Sequence, residues 1–112
     1  MKFKNKTVFI TGAASGIGRN AALEFAEQGA KLAISDWNAT GIEETKSMVA
    51  KITPDVRAYQ LDVSNYNQVK EVINQVKQDF GQIDVALNNA GIGASNNLKT
   101  AEHTLDLSLI HI

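Results

Sequence analysis

Hydrophobic residues in this chain fall into two kinds of pattern that alternate along its length. Short, largely apolar runs, typical of buried strands, occupy residues 8–10, 31–35, 56–61 and 83–87. Between them, apolar residues recur every three or four positions at residues 16–28, 42–52 and 65–80, which is typical of helices. The resulting order β-α-β-α-β-α-β, without a hairpin signal, predicts a parallel sheet with right-handed crossovers.

Residues that commonly end or begin helices stand at the boundaries of these stretches. Gly29 and Gly81 each follow the last apolar position of a helical stretch, as glycine does just past a helix C-terminus. Pro54 disfavours helical backbone at the residue before it and so ends the second helix. Ser64 is placed to cap the amino end of the third helix.

The composition argues against several classes of partner. The chain of 112 residues carries 11 basic and 12 acidic residues, so it presents no field that would attract nucleic acid or a membrane surface. It has no cysteine, and His103 and His111 have no companion ligands, so we expect neither a disulfide nor a metal site. The basic start precedes an apolar run that stops at Ile10, too short for a signal peptide, and we expect a soluble cytoplasmic protein.

A glycine-rich turn joins the first predicted strand to the first predicted helix. It reads Thr11-Gly12-Ala13-Ala14-Ser15-Gly16-Ile17-Gly18. Gly12 permits the sharp exit from the strand, Gly16 lets the backbone approach a pyrophosphate, and Gly18 lets the helix pack closely. The amino end of a helix adds unpaired N–H donors and a partial positive charge. The turn therefore predicts a dinucleotide phosphate site, the alternative being a βα turn that binds nothing.

A second motif, Asn88-Asn89-Ala90-Gly91, follows the fourth predicted strand. Together with the Thr-Gly-x-x-x-Gly-x-Gly turn it resembles the short-chain dehydrogenase/reductase family over residues 1 to 106. The resemblance implies a Rossmann-type, doubly wound α/β fold, of which this chain is the NAD(P)-binding amino-terminal half, with strand order 3-2-1-4. It also implies hydride transfer between a nicotinamide and a small-molecule alcohol or carbonyl substrate. We expect the full-length form to be a homo-oligomer.

Asp36 is the residue on which the choice of cofactor depends. It stands at the end of the second predicted strand, about 20 residues after the glycines, where a carboxylate accepts hydrogen bonds from the adenosine ribose. A 2′-phosphate would meet a like charge there, which favours NAD over NADP. Ser15 and Trp37 occupy positions where NADP-preferring family members usually carry Arg or Lys. The alternative is an ordinary surface aspartate at a strand end.

The resemblance implies roles for further residues around the dinucleotide. Asp62 and Val63 match an Asp-Val pair that flanks the adenine, although Asp62 could instead only begin a turn. Ser15 is expected at the ribose and phosphate, and the Ile17 backbone at the pyrophosphate or nicotinamide side. The remaining expected contacts come from residues after the fourth strand. Asn88 is expected to hydrogen-bond the Thr11 hydroxyl. Asn89 and Ala90 are expected to line the nicotinamide ribose, and Gly91 to let the chain pass close to the cofactor.

No catalytic residue is assigned within the chain. The family's catalytic Ser and Tyr-x-x-x-Lys lie on segments beyond the fourth strand. Tyr66 and Lys70 have the Tyr-x-x-x-Lys spacing, but they open the third helix, before the Asn-Asn-Ala-Gly motif, and we reject them as the catalytic pair. We therefore expect this 112-residue fragment to be inactive, and to fold poorly because its fourth strand would form an exposed apolar edge.

The last six residues, 107–112, depart from the family pattern, and we interpret them as a non-native tail read from sequencing-adapter DNA. An intact gene locus encoding the same ending would contradict this hypothesis. Two alternatives to the oxidoreductase remain. One is a non-catalytic NAD-binding protein, which would need a C-terminal segment able to cover the fourth strand. The other is an S-adenosylmethionine-dependent methyltransferase, whose glycines are usually spaced two apart, unlike Gly12 and Gly16.

Overall fold

A computed structural model describes residues 2–89 as four strands and three helices in strict alternation. The elements are β1 (Thr7–Thr11), α1 (Gly16–Glu27), β2 (Lys31–Asp36), α2 (Ala39–Ala50), β3 (Val56–Gln60), α3 (Tyr66–Phe80) and β4 (Val85–Asn88). All strands are parallel and their spatial order is β3-β2-β1-β4. The predicted α/β class and strand order are confirmed. Ala90, Gly91 and the predicted tail at 107–112 lie outside the described residues.

The sheet is covered on both faces because neighbouring residues of a strand point to opposite sides. Val8 and Ile10 of β1 are fully buried among side chains of α1 and α2. Phe9, between them, is buried in a second cluster formed largely by α3. Since the carboxyl ends of parallel strands meet at one edge of a sheet, the turn after β1, Asp36 and Asn88 lie at that same edge.

The amino ends of α2 and α3 differ from the prediction. Asn38 caps α2, accepting a hydrogen bond from the Gly41 N–H at 3.0 Å, so the helix starts before the first apolar position that marked it in the sequence. Asn65 caps α3 in the same way, through the Gln68 N–H at 3.1 Å. Ser64 is therefore not the cap that the sequence predicted. The first turn of α2, Ala39-Thr40-Gly41, contains no large apolar residue, so a search for apolar periodicity passes over it.

The fourth strand is shifted relative to its predicted range of 83–87. It starts at Val85 because Asp84 closes the end of the ladder against Thr7. The Thr7 N–H donates to the Asp84 carboxylate at 2.8 Å, and the Asp84 N–H donates to the Thr7 carbonyl at 2.9 Å. Ile83 stays outside the strand although its side chain is buried. Within residues 2–89, no helix is both long and apolar enough to cross a membrane.

Candidate cofactor site

The glycine turn after β1 has the backbone conformation that its glycines were expected to provide. Gly12 and Gly16 have φ angles of 68° and 59°, in the left-handed region that side chains disfavour. A Cβ at Gly16 would face open space, whereas one at Gly18 would lie 2.1 Å from the Gly12 carbonyl oxygen. The start of α1 therefore packs directly against the turn at Gly18, whereas the space beside Gly16 is empty of atoms from the described residues.

The amino end of α1 differs from those of the other two helices. Ser15 occupies its N-cap position with an extended backbone, but the side chain makes no capping hydrogen bond. Ser15 and Gly16 are exposed, and Ile17 in the first turn keeps 69% of its surface in solvent. The first-turn N–H groups of an α-helix have no partner within the helix. This end can therefore bind an anion.

Asp36 is tied to the glycine turn. Its Oδ2 accepts a hydrogen bond from the Ala14 N–H at 3.1 Å, and its Oδ1 accepts one from the Asn38 N–H at 3.0 Å. The Ala13 N–H donates to the neighbouring Ser35 carbonyl at 3.0 Å. The carboxylate therefore sits between the turn and the start of α2, half-buried, and is not an isolated surface group.

The end of β4 is linked to the same turn. The Thr11 hydroxyl donates to Asn88 Oδ1 at 2.7 Å and accepts from the Asn89 N–H at 3.1 Å. The Asn89 side-chain amide donates to the Gly12 carbonyl at 3.3 Å. Asn88 Nδ2 is buried and has no hydrogen-bond partner within residues 2–89. The expected tie between Thr11 and Asn88 is present, and it places Asn89 beside the glycines.

Asp62 lies at the neighbouring strand end. It lines a cavity of about 590 Å³ that is shared with Trp37, Gln60, Gln68, Glu71 and Val72. The Ser64 hydroxyl donates to Asp62 Oδ1 at 2.6 Å and the Ser64 N–H donates to the same oxygen at 3.0 Å. Both bonds lower the pKa of Asp62, the hydroxyl's more than the N–H's, and keep the side chain an ionised acceptor. Val63 is half-buried against the α3 side of the core.

Neither tyrosine of the chain is arranged as a proton donor. Tyr66 opens α3, on the sheet face opposite α1, with 48% of its surface exposed and the Lys70 amino group 5.3 Å from its ring centre. Tyr59 lies in β3, and its hydroxyl donates to Asp79 at 2.7 Å. Burial, and then the Asp79 hydrogen bond, raise the pKa of Tyr59. An acid–base tyrosine working near neutral pH needs the opposite shift.

The sequence did not single out Arg19, Gly41 and Thr45, which surround the turn on its α2 side. In the sequence, Thr45 is one position within the second helical stretch, and Arg19 is the residue after the last glycine of the turn. The Arg19 guanidinium donates to the Ala14 carbonyl, and the Thr45 hydroxyl donates to the Ala13 carbonyl at 2.7 Å. Across the described stretch, His, Asp and Glu side chains form no group of three that could hold a metal ion.

Comparison with known proteins identifies the class to which this fold and turn belong. The family model described as short chain dehydrogenase matches residues 6–111. The chain belongs to this family. It is 41% identical over 106 residues to the uncharacterized oxidoreductase YxbG of Bacillus subtilis (strain 168), an alignment that covers 95% of this chain and 38% of that protein.

Two further similarities involve proteins whose names state a cofactor. The chain is 35% identical over 114 residues to the 15-hydroxyprostaglandin dehydrogenase of Macaca fascicularis, designated NAD(+), covering 100% of this chain and 42% of that protein. A crystal structure of NAD+-bound xylitol dehydrogenase superimposes with a TM-score of 0.80 at 36% identity, covering 81% of this chain and 35% of that one. The chain thus spans about two fifths of the length of the curated relatives it matches.

Proposed function

We propose that this chain is the NAD-binding part of a short-chain oxidoreductase that transfers hydride between the nicotinamide and a small alcohol or carbonyl substrate. The observation that carries the proposal is the position of Asp36. Its carboxylate lies at the carboxyl edge of the sheet and bonds the glycine turn directly through Ala14. A phosphate-binding turn and a ribose-binding carboxylate must lie side by side to hold one dinucleotide.

The hydrogen-bonding capacity of Asp36 fits a ribose. An ionised carboxylate offers about four lone-pair positions. Two of these accept from the Ala14 and Asn38 N–H groups, so two remain for the two ribose hydroxyls. A 2′-phosphate in the same place would bring a second negative charge against the carboxylate, a mismatch that costs several kcal/mol. This supports NAD over NADP.

The amino end of α1 fits the pyrophosphate. Its N-cap side chain, Ser15, leaves the first-turn N–H groups unoccupied, and the surface in front of Gly16 is open. These N–H donors, together with the positive end of the helix dipole, stabilise a bound anion. We assign Gly12, Gly16 and Gly18 to the shape of this site, and Ser15 and the Ile17 backbone to direct contact.

The two ends of the dinucleotide are assigned to the neighbouring strand ends. At the adenine end, Asp62 accepts from the exocyclic amino group and Val63 contributes an apolar side chain and a backbone N–H. The cavity that Asp62 shares with Trp37 supports this assignment. At the nicotinamide end we place Asn89, which already contacts the turn, and with it Ala90 and Gly91.

Bound NAD supplies the hydride acceptor, and this chain's residues bind and orient it. With Tyr59 committed to Asp79 and Tyr66 on the opposite face of the sheet, the chain offers no tyrosine for proton transfer. We propose that the 112-residue chain alone is inactive and that the complete protein, with a catalytic Ser, Tyr and Lys in further segments, is the dehydrogenase. The family assignment leaves no support for the methyltransferase alternative.

Titration of the chain with NAD and NADP tests the proposal. Trp37 is the one tryptophan of the chain and directly follows Asp36, so its fluorescence reports locally on binding, with calorimetry as the independent measurement. Trimethylamine N-oxide in the buffer favours the compact state of a marginally stable chain. We expect NAD to bind at least about tenfold more tightly than NADP, a difference of about 1.4 kcal/mol. Equal affinities would contradict the assignment of Asp36, and no binding of either would contradict the cofactor site.

A further inference from the structure

The Ala13–Ala14 segment of the glycine turn is held from two sides. On the β2 side, its two N–H groups donate to the Ser35 carbonyl at 3.0 Å and to the Asp36 carboxylate at 3.1 Å. On the α2 side, its two carbonyls accept from the Thr45 hydroxyl at 2.7 Å and from the Arg19 guanidinium. All four polar groups of these two residues are therefore hydrogen-bonded within the protein, and neither N–H is left for a ligand.

Arg19 and Thr45 act on the turn as a connected pair. Arg19 Nε donates to the Thr45 hydroxyl at 2.8 Å, and that hydroxyl in turn donates to the Ala13 carbonyl. Arg19 Nη2 also lies 3.2 Å from the Gly41 carbonyl and 3.3 Å from the Glu44 carboxylate. Thr45 and Ala13 are both fully buried. If the Thr45 hydroxyl were removed, water could not replace its hydrogen bond to the Ala13 carbonyl.

Helix α2 can reach the turn because Gly41 has no side chain. A Cβ at Gly41 would lie 2.8 Å from the Ala14 Cβ, closer than two such atoms can approach. The contact between α2 and the turn is therefore direct. Arg19 connects the two elements, since it extends from α1, bonds the turn at Ala14 and ends on α2 at Gly41 and Glu44.

We propose that Arg19 and Thr45 are positioning residues for the dinucleotide. They fix the Ala13–Ala14 peptide groups so that the following residues, at the open amino end of α1, are held ready for the pyrophosphate. A loop ordered before binding loses less conformational entropy when the ligand arrives, and affinity rises accordingly. This inference rests on the proposed NAD-binding function.

The same geometry removes Arg19 as a reader of a 2′-phosphate. Its Nε and Nη2 donors are already directed at Thr45, Ala14, Gly41 and Glu44. A guanidinium held in this way on the α2 side of the turn gives structure to the site and does not offer a free cation to a ligand. Its effect on NAD and NADP should therefore be the same.

Substitutions at Thr45 separate positioning from packing. Thr45→Val keeps the volume but removes the hydroxyl, whereas Thr45→Ser keeps the hydroxyl and loses a buried methyl group. We expect Thr45→Val to weaken NAD binding roughly threefold to tenfold, the fold-change of one lost hydrogen bond. Thr45→Ser should keep the parental dissociation constant although its unfolding temperature falls. Glu43→Gln is the matched control, because Glu43 is exposed on the same helix and is not among the hydrogen-bond partners of Arg19 or Thr45.

Arg19→Lys tests the other member of the pair. A lysine keeps the charge but lacks the planar fork that bonds Thr45 and Ala14 together. We expect it to weaken NAD and NADP by the same factor, and Arg19→Lys/Thr45→Val to lose no more affinity than the worse single variant, because the two residues act as one unit.

The decisive experiment combines calorimetry with amide hydrogen exchange on the ligand-free chain. In Thr45→Val, exchange should accelerate at the Ala13 and Ala14 amides and not at Phe9 in the sheet core, and Thr45→Ser should restore protection. Failure of the parent chain to bind NAD would overturn the proposed function and this inference with it. The positioning role alone would be overturned if Thr45→Val bound NAD as tightly as the parent chain does. It would also be overturned if Thr45→Val and Thr45→Ser weakened NAD binding equally.

Discussion

The amino end of α1 and the amino ends of α2 and α3 present the same backbone chemistry and use it differently. In α2 and α3 the N-cap residue is an asparagine, whose side chain accepts a hydrogen bond from a first-turn N–H. In α1 the N-cap is Ser15, which belongs to the residues that cap well, yet its side chain makes no such bond. The difference lies in what stands beside each helix end.

The three helix ends differ in their surroundings as well as in their caps. All three helix ends lie at the carboxyl edge of the sheet, and that of α1 follows the glycine turn, which bonds the Asp36 carboxylate through Ala14. The ends of α2 and α3 meet local loops whose polar groups are satisfied by neighbouring side chains. A side-chain cap on a helix end adds stability. The uncapped end of α1 keeps first-turn N–H donors available, as the proposed NAD site requires.

The largest effect on the open end should come from Gly18→Ala. Its new Cβ would lie 2.1 Å from the Gly12 carbonyl oxygen, so the turn and the start of α1 must separate. We expect an overpacking cost of about 3 kcal/mol and loss of measurable NAD binding. Gly81→Ala, with a φ of 89° but open space around the Cβ, is the contrasting variant, which should lower stability through backbone strain without changing the turn. Urea unfolding and NAD titration of both variants measure the difference, and an unaffected Gly18→Ala would contradict the packing of the turn.

Replacement of Asp36 should affect cofactor choice next most strongly. Asp36→Ala removes the ribose acceptor and also the bonds to Ala14 and Asn38, so NAD binding should weaken by about 1.5–3 kcal/mol, the cost of lost bonds to a charged group. Asp36→Asn removes the charge but keeps an oxygen acceptor for the Ala14 N–H. It should relieve the exclusion of NADP with less damage to NAD. If both variants change the two affinities equally, Asp36 does not read the 2′ position.

The capping residues should divide into two classes. Asn38→Ala and Asn65→Ala each remove a side-chain cap and should lower the free energy of unfolding by about 1 kcal/mol. Ser15→Ala removes no cap, so it should leave unfolding unchanged and weaken NAD binding instead. Chemical denaturation and calorimetry on the three variants make the comparison. A loss of stability in Ser15→Ala as large as in the asparagine variants would erase the distinction.

The smallest effect is expected from Ser64→Ala. It removes the hydroxyl donor that lowers the pKa of Asp62, so that pKa should rise toward its ordinary value near 3.8. Because the folded-state pKa is depressed, this contribution to stability is present above pH 3.8 and disappears as the pH falls through the folded value. The stability difference between parent and variant should therefore vanish in acid. NMR titration of Asp62 measures the shift, and α3 should be unaffected because Asn65 caps it.

Much of this fold could be predicted because its signals are local. The apolar runs gave the strands, and the alternation of strands and helices gave the parallel order that the sheet adopts. Helix starts were less predictable: Ser64 and Asn65 are adjacent and both are cap-forming types, and only the backbone decides which side chain meets the Gln68 N–H. The start of β4 depended on Asp84 meeting Thr7, a contact between residues far apart in the chain.

The site divides in the same way. Asp36 and the glycines could be found because the spacing of a βα unit is fixed by its length. Arg19 and Thr45 could not, since their contact joins the first turn of α1 to the middle of α2. In sequence, Thr45 is one more position on a buried helix face, and nothing in that pattern indicates that its hydroxyl bonds the turn.

The measurement that tests the open helix end most directly is the Ser15→Asp variant. Aspartate is among the best N-cap residues and favours the positive end of a helix, so this change should stabilise the ligand-free chain by about 0.5–1 kcal/mol. The same carboxylate would accept hydrogen bonds from the first-turn N–H groups and would repel the pyrophosphate. The affinity for NAD should therefore fall at least about tenfold. Stability and affinity should therefore move in opposite directions in one variant. Unchanged or tighter NAD binding in Ser15→Asp would contradict the account.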